Sequence, residues 1–423
     1  MSYDGPSTST VSDDDALYGP VSDWETDFDH ADTNYNPNTW EIWSQLRDKC
    51  PVAHTERYGG AWLPVTHADV QQIAHDTETY SNRGPLVLRG IGDMDPVEIA
   101  DSLNLTPLTS DPPDHRETKQ PMLPYFSPKR VAAMEDDVRA ACVSLLDEIG
   151  DAEYFDAAER YAQHIPTIVT CKLLGFPIED AEQLRRWTKE GFENINTPPE
   201  ERMARMAEQF AYLARSVAEH RANPREDVTS FLINSEYQGA PFTDERIVHN
   251  MSLLMVAGID TTWSSIGSSL WHLGHHPEHL AQLVAEPQLW PNAVEEFLRL
   301  YAPVTMARKV DKDTELHGCP VKANDWMLLP FPAANVDPAV WDRPEEFVLD
   351  RVKNPHFAFG LGVHRCLGSN LARLEMRLAL TEFVRRFPKF EIDESKPMKW
   401  SVGQIRGPKV VHVHILERAG ALV

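Results

Sequence analysis

Residues 359–368 read FGLGVHRCLG, and the role of Cys366 within them decides the fold. A cysteine serves as core filler, half a disulfide, a nucleophile or a metal ligand. Gly360 and Gly362 admit backbone conformations and close approaches barred to other residues. Downstream, LGSNLARLEMRLALTEFVRRF sets Leu367, Leu371, Leu374 and Leu378 on one helical stripe, stopped by Pro388. Cys366 therefore falls at or just before a helix N-terminus, where the partial positive charge stabilises a thiolate. Glycines that open backbone amides toward the sulfur, with His364 and Arg365 beside it, set this cysteine apart from an inert buried one. No second cysteine or histidine follows at zinc-finger spacing, which argues against zinc held by several local ligands.

The chain has 423 residues, 42% hydrophobic and 25% charged, a globular composition long enough for one large core. A net charge of −25 argues against phosphate-backbone binding, so no nucleic-acid partner is expected. Residues 1–36 are rich in Ser, Thr, Asp and Gly and read as an acidic N-terminal tail, mobile or hugging the surface. They lack the basic start and continuous apolar core of a signal peptide. No run approaches the roughly 18 apolar residues of a membrane span, so no membrane partner is expected. Five scattered cysteines fit reduced thiols in a cytoplasm better than a disulfide framework. No repeat or linker divides residues 37–423, which read as one domain.

Most of the pattern is helical. Residues 127–149, 201–222 and 278–286 carry apolar positions at helical spacing. Strand-like pieces are few: AWLPVTH (61–67), WMLLPFP (326–332) and VVHVHIL (410–416). The expected fold is mostly α with small β-sheets.

Three further segments carry chemistry. Residues 243–274 predict a helix of roughly 45 Å, with Thr243 as N-cap and Asp244 and Glu245 suiting its positive end. In its middle AGIDTT (257–262) places small Ala257 and Gly258 before an acid and two threonines. The small pair lets something large approach; a buried Asp260 is expensive unless it has a task or partners. The competing reading is close helix packing with a structural Asp260. In WPNAVEEFLRLYAPVTMARKV (290–310), Glu296 and Arg299 share a helix face among apolar neighbours. An ordinary exposed pair is the competing reading. Arg308 follows in an extended stretch, free to face an anion. In SDPPDHRETKQPML (110–123) a short helix puts His115 and Lys119 four apart on one face, otherwise a solvated basic face.

These four segments, in this order, resemble the cytochrome P450 family from about residue 37 onward. Phe359, Gly362, His364, Cys366 and Gly368 match the family's haem-binding loop, 257–262 its oxygen-activating helix, and Glu296 with Arg299 its buried ion pair. The resemblance implies a single large domain enclosing haem b (iron protoporphyrin IX). Cys366 would be the proximal thiolate, favouring O–O cleavage. Phe359 would shield the sulfur, and Gly360 and Gly368 would shape its loop. His115, Lys119, Arg308 and His364 would pair with the haem propionates. Ala257 and Gly258 would make room for O2 and substrate, and Asp260 and Thr261 would relay protons. The chain departs from the pattern at Lys119, where arginine is more usual. It departs again in PEEF (344–347), where Arg343 or Arg351 would have to complete the Glu296–Arg299 network.

The implied reaction is O2-dependent monooxygenation, with hydroxylation first. Too few residues follow Cys366 for a fused reductase, so a separate ferredoxin or flavodoxin with its NAD(P)H reductase is implied. Arg365 and Arg373 would form a local basic patch for it. An H2O2-driven peroxygenase and a haem-based sensor are the rivals; the intact Asp260–Thr261 pair argues against both. A zinc site at His272, His275, His276 and His279 is interrupted by Gly274 and Pro277, so that stretch reads as a helix end and turn. By alignment on the motifs, Leu253, Val256, Val304 and Met306 face the pocket, with part of residues 82–100 as a lid. This mostly apolar lining predicts a small apolar substrate. Arg89 could meet a carboxylate, and Trp263 packs behind its helix or narrows a channel.

Overall fold

Proline, acids and N-capping hydroxyls start many of the helices. The structure is a computed structural model and describes residues 18–84, 87, 105–193 and 199–419. Its helices begin with α1 (Thr39–Lys49), α2 (His67–His75), α3 (Asp114–Lys119), α4 (Pro128–Ala132) and α5 (Glu135–Ile149). Next come α6 (His164–Leu174), α7 (Ala181–Glu193), α8 (Pro199–Ala222), α9 (Val228–Ile233) and α10 (Asp244–His275). The last are α11 (Pro277–Ala285), α12 (Trp290–Leu300), α13 (Phe331–Ala334) and α14 (Ser369–Arg386). The mostly α expectation with small sheets holds. No described helix is long and apolar enough to cross a membrane.

Two predicted elements differ in extent. The helix expected over 127–149 is two, α4 and α5. Glu135, Asp136 and Asp137 form the first turn of α5, where carboxylates favour a new positive helix end over a continuing helix. The strand expected over 61–67 ends at Pro64, because Thr66 caps α2 by accepting from Asp69 N.

The largest sheet has the order β1 (Val52–Thr55), β2 (Ala61–Pro64), β10 (Trp326–Pro330), β7 (Thr305–Val310), β3 (Tyr80–Ser81). β2 and β10 are parallel; the other pairs are antiparallel. Strand alternation puts Met306 and Arg308 on one face of β7. A second sheet joins β4 (Tyr154–Asp156), β11 (Lys389–Ile392) and β12 (His412–Glu417), and two hairpins pair β5 (Glu236–Tyr237) with β6 (Ala240–Pro241) and β8 (Thr314–Leu316) with β9 (Cys319–Val321).

The long helix α10 runs through the core and packs on α6, α8 and α14. Ile259, Trp263, Ile266 and Leu270 form its buried back, so Trp263 packs behind the helix. From residue 18 onward the N-terminal stretch packs against the rest of the protein. Phe28 and Tyr35 are buried in the main core, each worth roughly 1.5–3 kcal/mol. Arg57 binds Asp27 at 2.7 Å and Asp29 at 3.1 Å, clamping the segment to the β1–β2 hairpin. Residues 1–17, most of the expected lid at 82–100, and Arg89 lie outside the described residues.

Candidate active site

The cysteine loop is built by its glycines. Gly360 has φ +64° and Gly362 has φ +61°, both in the left-handed region. A Cβ on Gly362 would meet the Ala74 carbonyl oxygen at 2.8 Å. The loop closes when Cys366 N donates to Phe359 O at 2.8 Å, three residues before α14 begins. Cys366 is exposed, and it lines a large internal cavity. The sulfur nonetheless sits within the protein mass, and burial pushes its thiol up. The Gly368 amide, Lys119, Arg365 and Arg373 pull the other way without prevailing. The amide at the helix start and the nearby cations thus offset part of the cost of burying a thiolate.

Across the same cavity lies the middle of α10. Ala257, Gly258, Asp260 and Thr261 all line it, as do Leu253 and Val256 one turn earlier. Thr261 Oγ1 donates to Ala257 O at 2.8 Å. Its proton rests on the backbone, and its lone pairs stay available to accept. Asp260 is 2% exposed. Val304 and Met306 line it from the β7 side, and Phe359, Gly360 and Gly368 line it from the cysteine loop. Val304 is fixed by a bridge to Ile405.

One edge of the cavity gathers cations. His115, Lys119, Arg308 and His364 all line it, and the two imidazoles lie 4.0 Å apart. Burial depresses all four, and repulsion within the set adds to it at the two histidines. His364 falls to about 2, by burial and then Arg308, His115 and Lys119. His115 falls to about 4, by burial and then Lys119. Burial takes Arg308 down to about 10. Asp111, the carboxylate that opposes this trend at Arg308, is committed to Asn82 N and Ser81 Oγ. Asn82 Nδ2 contacts both Leu108 O at 2.8 Å and His364 Nδ1 at 3.2 Å. His364 Nδ1 is thus the acceptor, and Nε2 carries the proton. That buried Nε2 has no partner among the described residues. Such a set calls for a buried anion. Lys119 is placed differently: its Nζ holds Val363 O at 2.7 Å and Arg365 O at 2.6 Å, bracing the cysteine loop.

The acid–arginine pair is fully buried. Arg299 grips Glu296 with bonds of 2.8 and 2.7 Å and donates to Asn335 O, Pro344 O and Glu346 O. Arg351 completes the network with 3.1 Å bonds to Glu296, joined by Val348 N and Asn354 Nδ2. Arg343 instead faces Asp342 and Glu346. Arg373 is not a free surface cation. It chelates Glu295 at 2.6 and 2.8 Å and lies over the Phe359 ring at 4.4 Å.

Comparison with known proteins places this arrangement. The family model for cytochrome P450 matches residues 101–407. The chain belongs to the cytochrome P450 family. Cytochrome P450-terp from a Pseudomonas species is 31% identical, over 87% of this chain and 91% of that protein. Erythromycin C-12 hydroxylase from Saccharopolyspora erythraea is 33% identical, over 82% and 87%. Among solved structures, the bacillaene polyketide synthase cytochrome P450 PksS from Bacillus subtilis superposes with a TM-score of 0.83 at 26% identity, covering 92% of this chain and all of that one. P450 EryK, a mutant in complex with erythromycin B, gives 0.81 at 29% identity, over 93% and 99%.

As a cytochrome P450 the chain is a monooxygenase whose cofactor is haem b, and the family works with O2 and a redox partner. The residues fit that group: a cavity-facing cysteine, and donors on one edge that lack an anion. Two contributors escaped the sequence reading. Asn82, which orients His364, gave no motif. Glu375 lines the cavity on α14 and is 3% exposed, its Oε2 without a protein partner. Burial pushes its carboxyl up to about 8. An acid among Leu371, Leu374 and Leu378 on the buried stripe was the available signal.

Proposed function

We propose that Cys366 is the thiolate ligand of haem iron, and that the enzyme hydroxylates a small apolar molecule with electrons from a separate carrier. The observation that carries this reading is one cavity with Cys366 on one wall and the Ala257–Thr261 segment on another. When bound, haem would supply O2 binding and the oxidation itself, with Cys366 as the sulfur that would hold its iron. The protein's own residues do the rest. The Gly368 amide and nearby cations offset the cost of a buried sulfur anion. Arg308 and His364 would hold the propionates, with Asn82 fixing the His364 tautomer. Ala257 and Gly258 would leave space in the cavity for O2 and substrate. Thr261, its proton parked on Ala257 O, accepts and orients a hydrogen bond, and Asp260 delivers protons behind it.

Leu253, Val256, Val304, Met306 and Ile405 give the distal wall an apolar character, which supports an apolar substrate. Relatives named as hydroxylases support hydroxylation as the outcome. The five free thiols support action in a reducing cytoplasm. A ferredoxin or flavodoxin with its NAD(P)H reductase is the proposed electron source, and exposed Arg365 on the cysteine loop its contact.

Thr261→Ala tests the proton route. Reductant consumption should continue, while product formed per reductant falls on the order of tenfold or more. Full coupling in that variant removes the role given to Thr261. A compound library screened for displacement of the sixth iron ligand, read as a Soret shift, should return apolar molecules.

A further inference from the structure

A second cluster lies outside the cavity, at the corner where α10 ends and α11 begins. Pro277 turns the chain there, so the side chains of His276, Glu278 and His279 converge without sharing one helix face. One ligand atom from each of His276, Glu278 and His279 lies within 4.8 Å of the others. That triangle suits a single ion with nitrogen and oxygen bonds of about 2.0–2.2 Å. Two imidazoles and one carboxylate, with water completing the sphere, form a donor set that zinc accepts.

The support behind the cluster is independent of it. His272, one turn before the corner, is 2% exposed. Its Nδ1 meets Tyr301 Oη at 2.8 Å, and its Nε2 meets His279 Nδ1 at 3.0 Å. When His279 Nδ1–H donates to His272 Nε2, the His279 Nε2 lone pair is left for a ligand. A ligating histidine whose second nitrogen is held by a fixed, buried partner is the usual arrangement around protein-bound metals. His275 is spent elsewhere, on Glu394 Oε1 at 2.7 Å. The contact between His276 Nδ1 and Glu278 Oε1 is 3.2 Å, at the long end for a hydrogen bond.

We propose that His276, Glu278 and His279 bind one divalent cation of the zinc class, with His272 as the positioning residue that orients His279. The ion would pin the end of α10 to the start of α11, away from the haem cavity. It does not depend on the role given to Cys366.

The test is zinc titration of untagged, chelator-treated, haem-loaded enzyme by calorimetry, with the Soret band confirming the fold of each variant. Wild type should take up one equivalent. Glu278→Gln, an exposed change that leaves the fold intact, should weaken uptake at least about tenfold, and His276→Ala with His279→Ala should abolish it. His275→Ala should leave it unchanged. Substituting Cu2+ and recording electron paramagnetic resonance should show two imidazole nitrogens, and one in either single histidine variant. No stoichiometric uptake by wild type overturns the proposal. So does uptake that survives in the double variant, which would move the ion elsewhere, as to His414 between Glu153 and Glu391.

Discussion

Glu375 is a carboxyl held inside a leucine face, and its charge state links stability to pH. Its folded value of about 8 lies above the ordinary carboxyl value of 4.5, with burial as the sole cause. The folded protein therefore binds a proton that the unfolded chain has released anywhere between those values. Stability from this group is complete below pH 4.5 and is lost as pH rises toward 8. The loss is on the order of 4 kcal/mol for a fully buried group. Glu375→Gln removes this dependence. Denaturant unfolding of the haem-loaded enzyme at pH 5 and 8 should show wild type losing stability relative to the variant. Parallel behaviour of the two contradicts the assignment. At this scale the sequence was unevenly legible. Cys366, Asp260 and Thr261 declared themselves through neighbours in the chain. Asn82 and Glu375 act through partners distant in sequence, or through the lack of any, which local pattern does not record.

At the scale of elements, buried polar groups fix how α12 meets the loop after α13. The sequence left Arg343 and Arg351 open, because both stand close to PEEF (344–347), where the missing donor is expected. Geometry separates them: Arg351 has 10% side-chain exposure against 52% for Arg343. Arg351→Ala should cost about 3 kcal/mol, since it strips a partner from a buried carboxylate. Arg343→Ala should cost no more than about 0.5 kcal/mol. Equal effects in thermal unfolding would contradict the network. The cysteine loop allows a second test. Gly362→Ala places a Cβ against the Ala74 carbonyl at a positive φ. It should destabilise by about 1–3 kcal/mol and lower haem retention, read from the absorbance of the purified protein. Helix lengths were legible wherever caps and prolines marked them, as at Thr243 and Pro277. The break between α4 and α5 was missed because apolar spacing continues across it.

Across the whole molecule, the acidic surface and the cavity ask different things of a partner. A net charge of −25 repels an acidic electron carrier unless local cations offset it. Arg373, bound to Glu295, does not serve. Arg365→Glu should therefore slow reduction by the carrier in stopped-flow measurements, and an unchanged rate removes that contact. The overall architecture was legible because four motifs constrain one another's positions around a cavity. The packed segment at Phe28 and Tyr35 was not, because isolated aromatics in an acidic stretch show no period. The central claim is the bond between Cys366 Sγ and haem iron. The direct measurement is the absorption spectrum of reduced, carbon monoxide-bound enzyme. The account predicts the long-wavelength Soret band of thiolate-ligated haem, lost in Cys366→His. A folded, haem-replete sample with only a histidine-type band would contradict it.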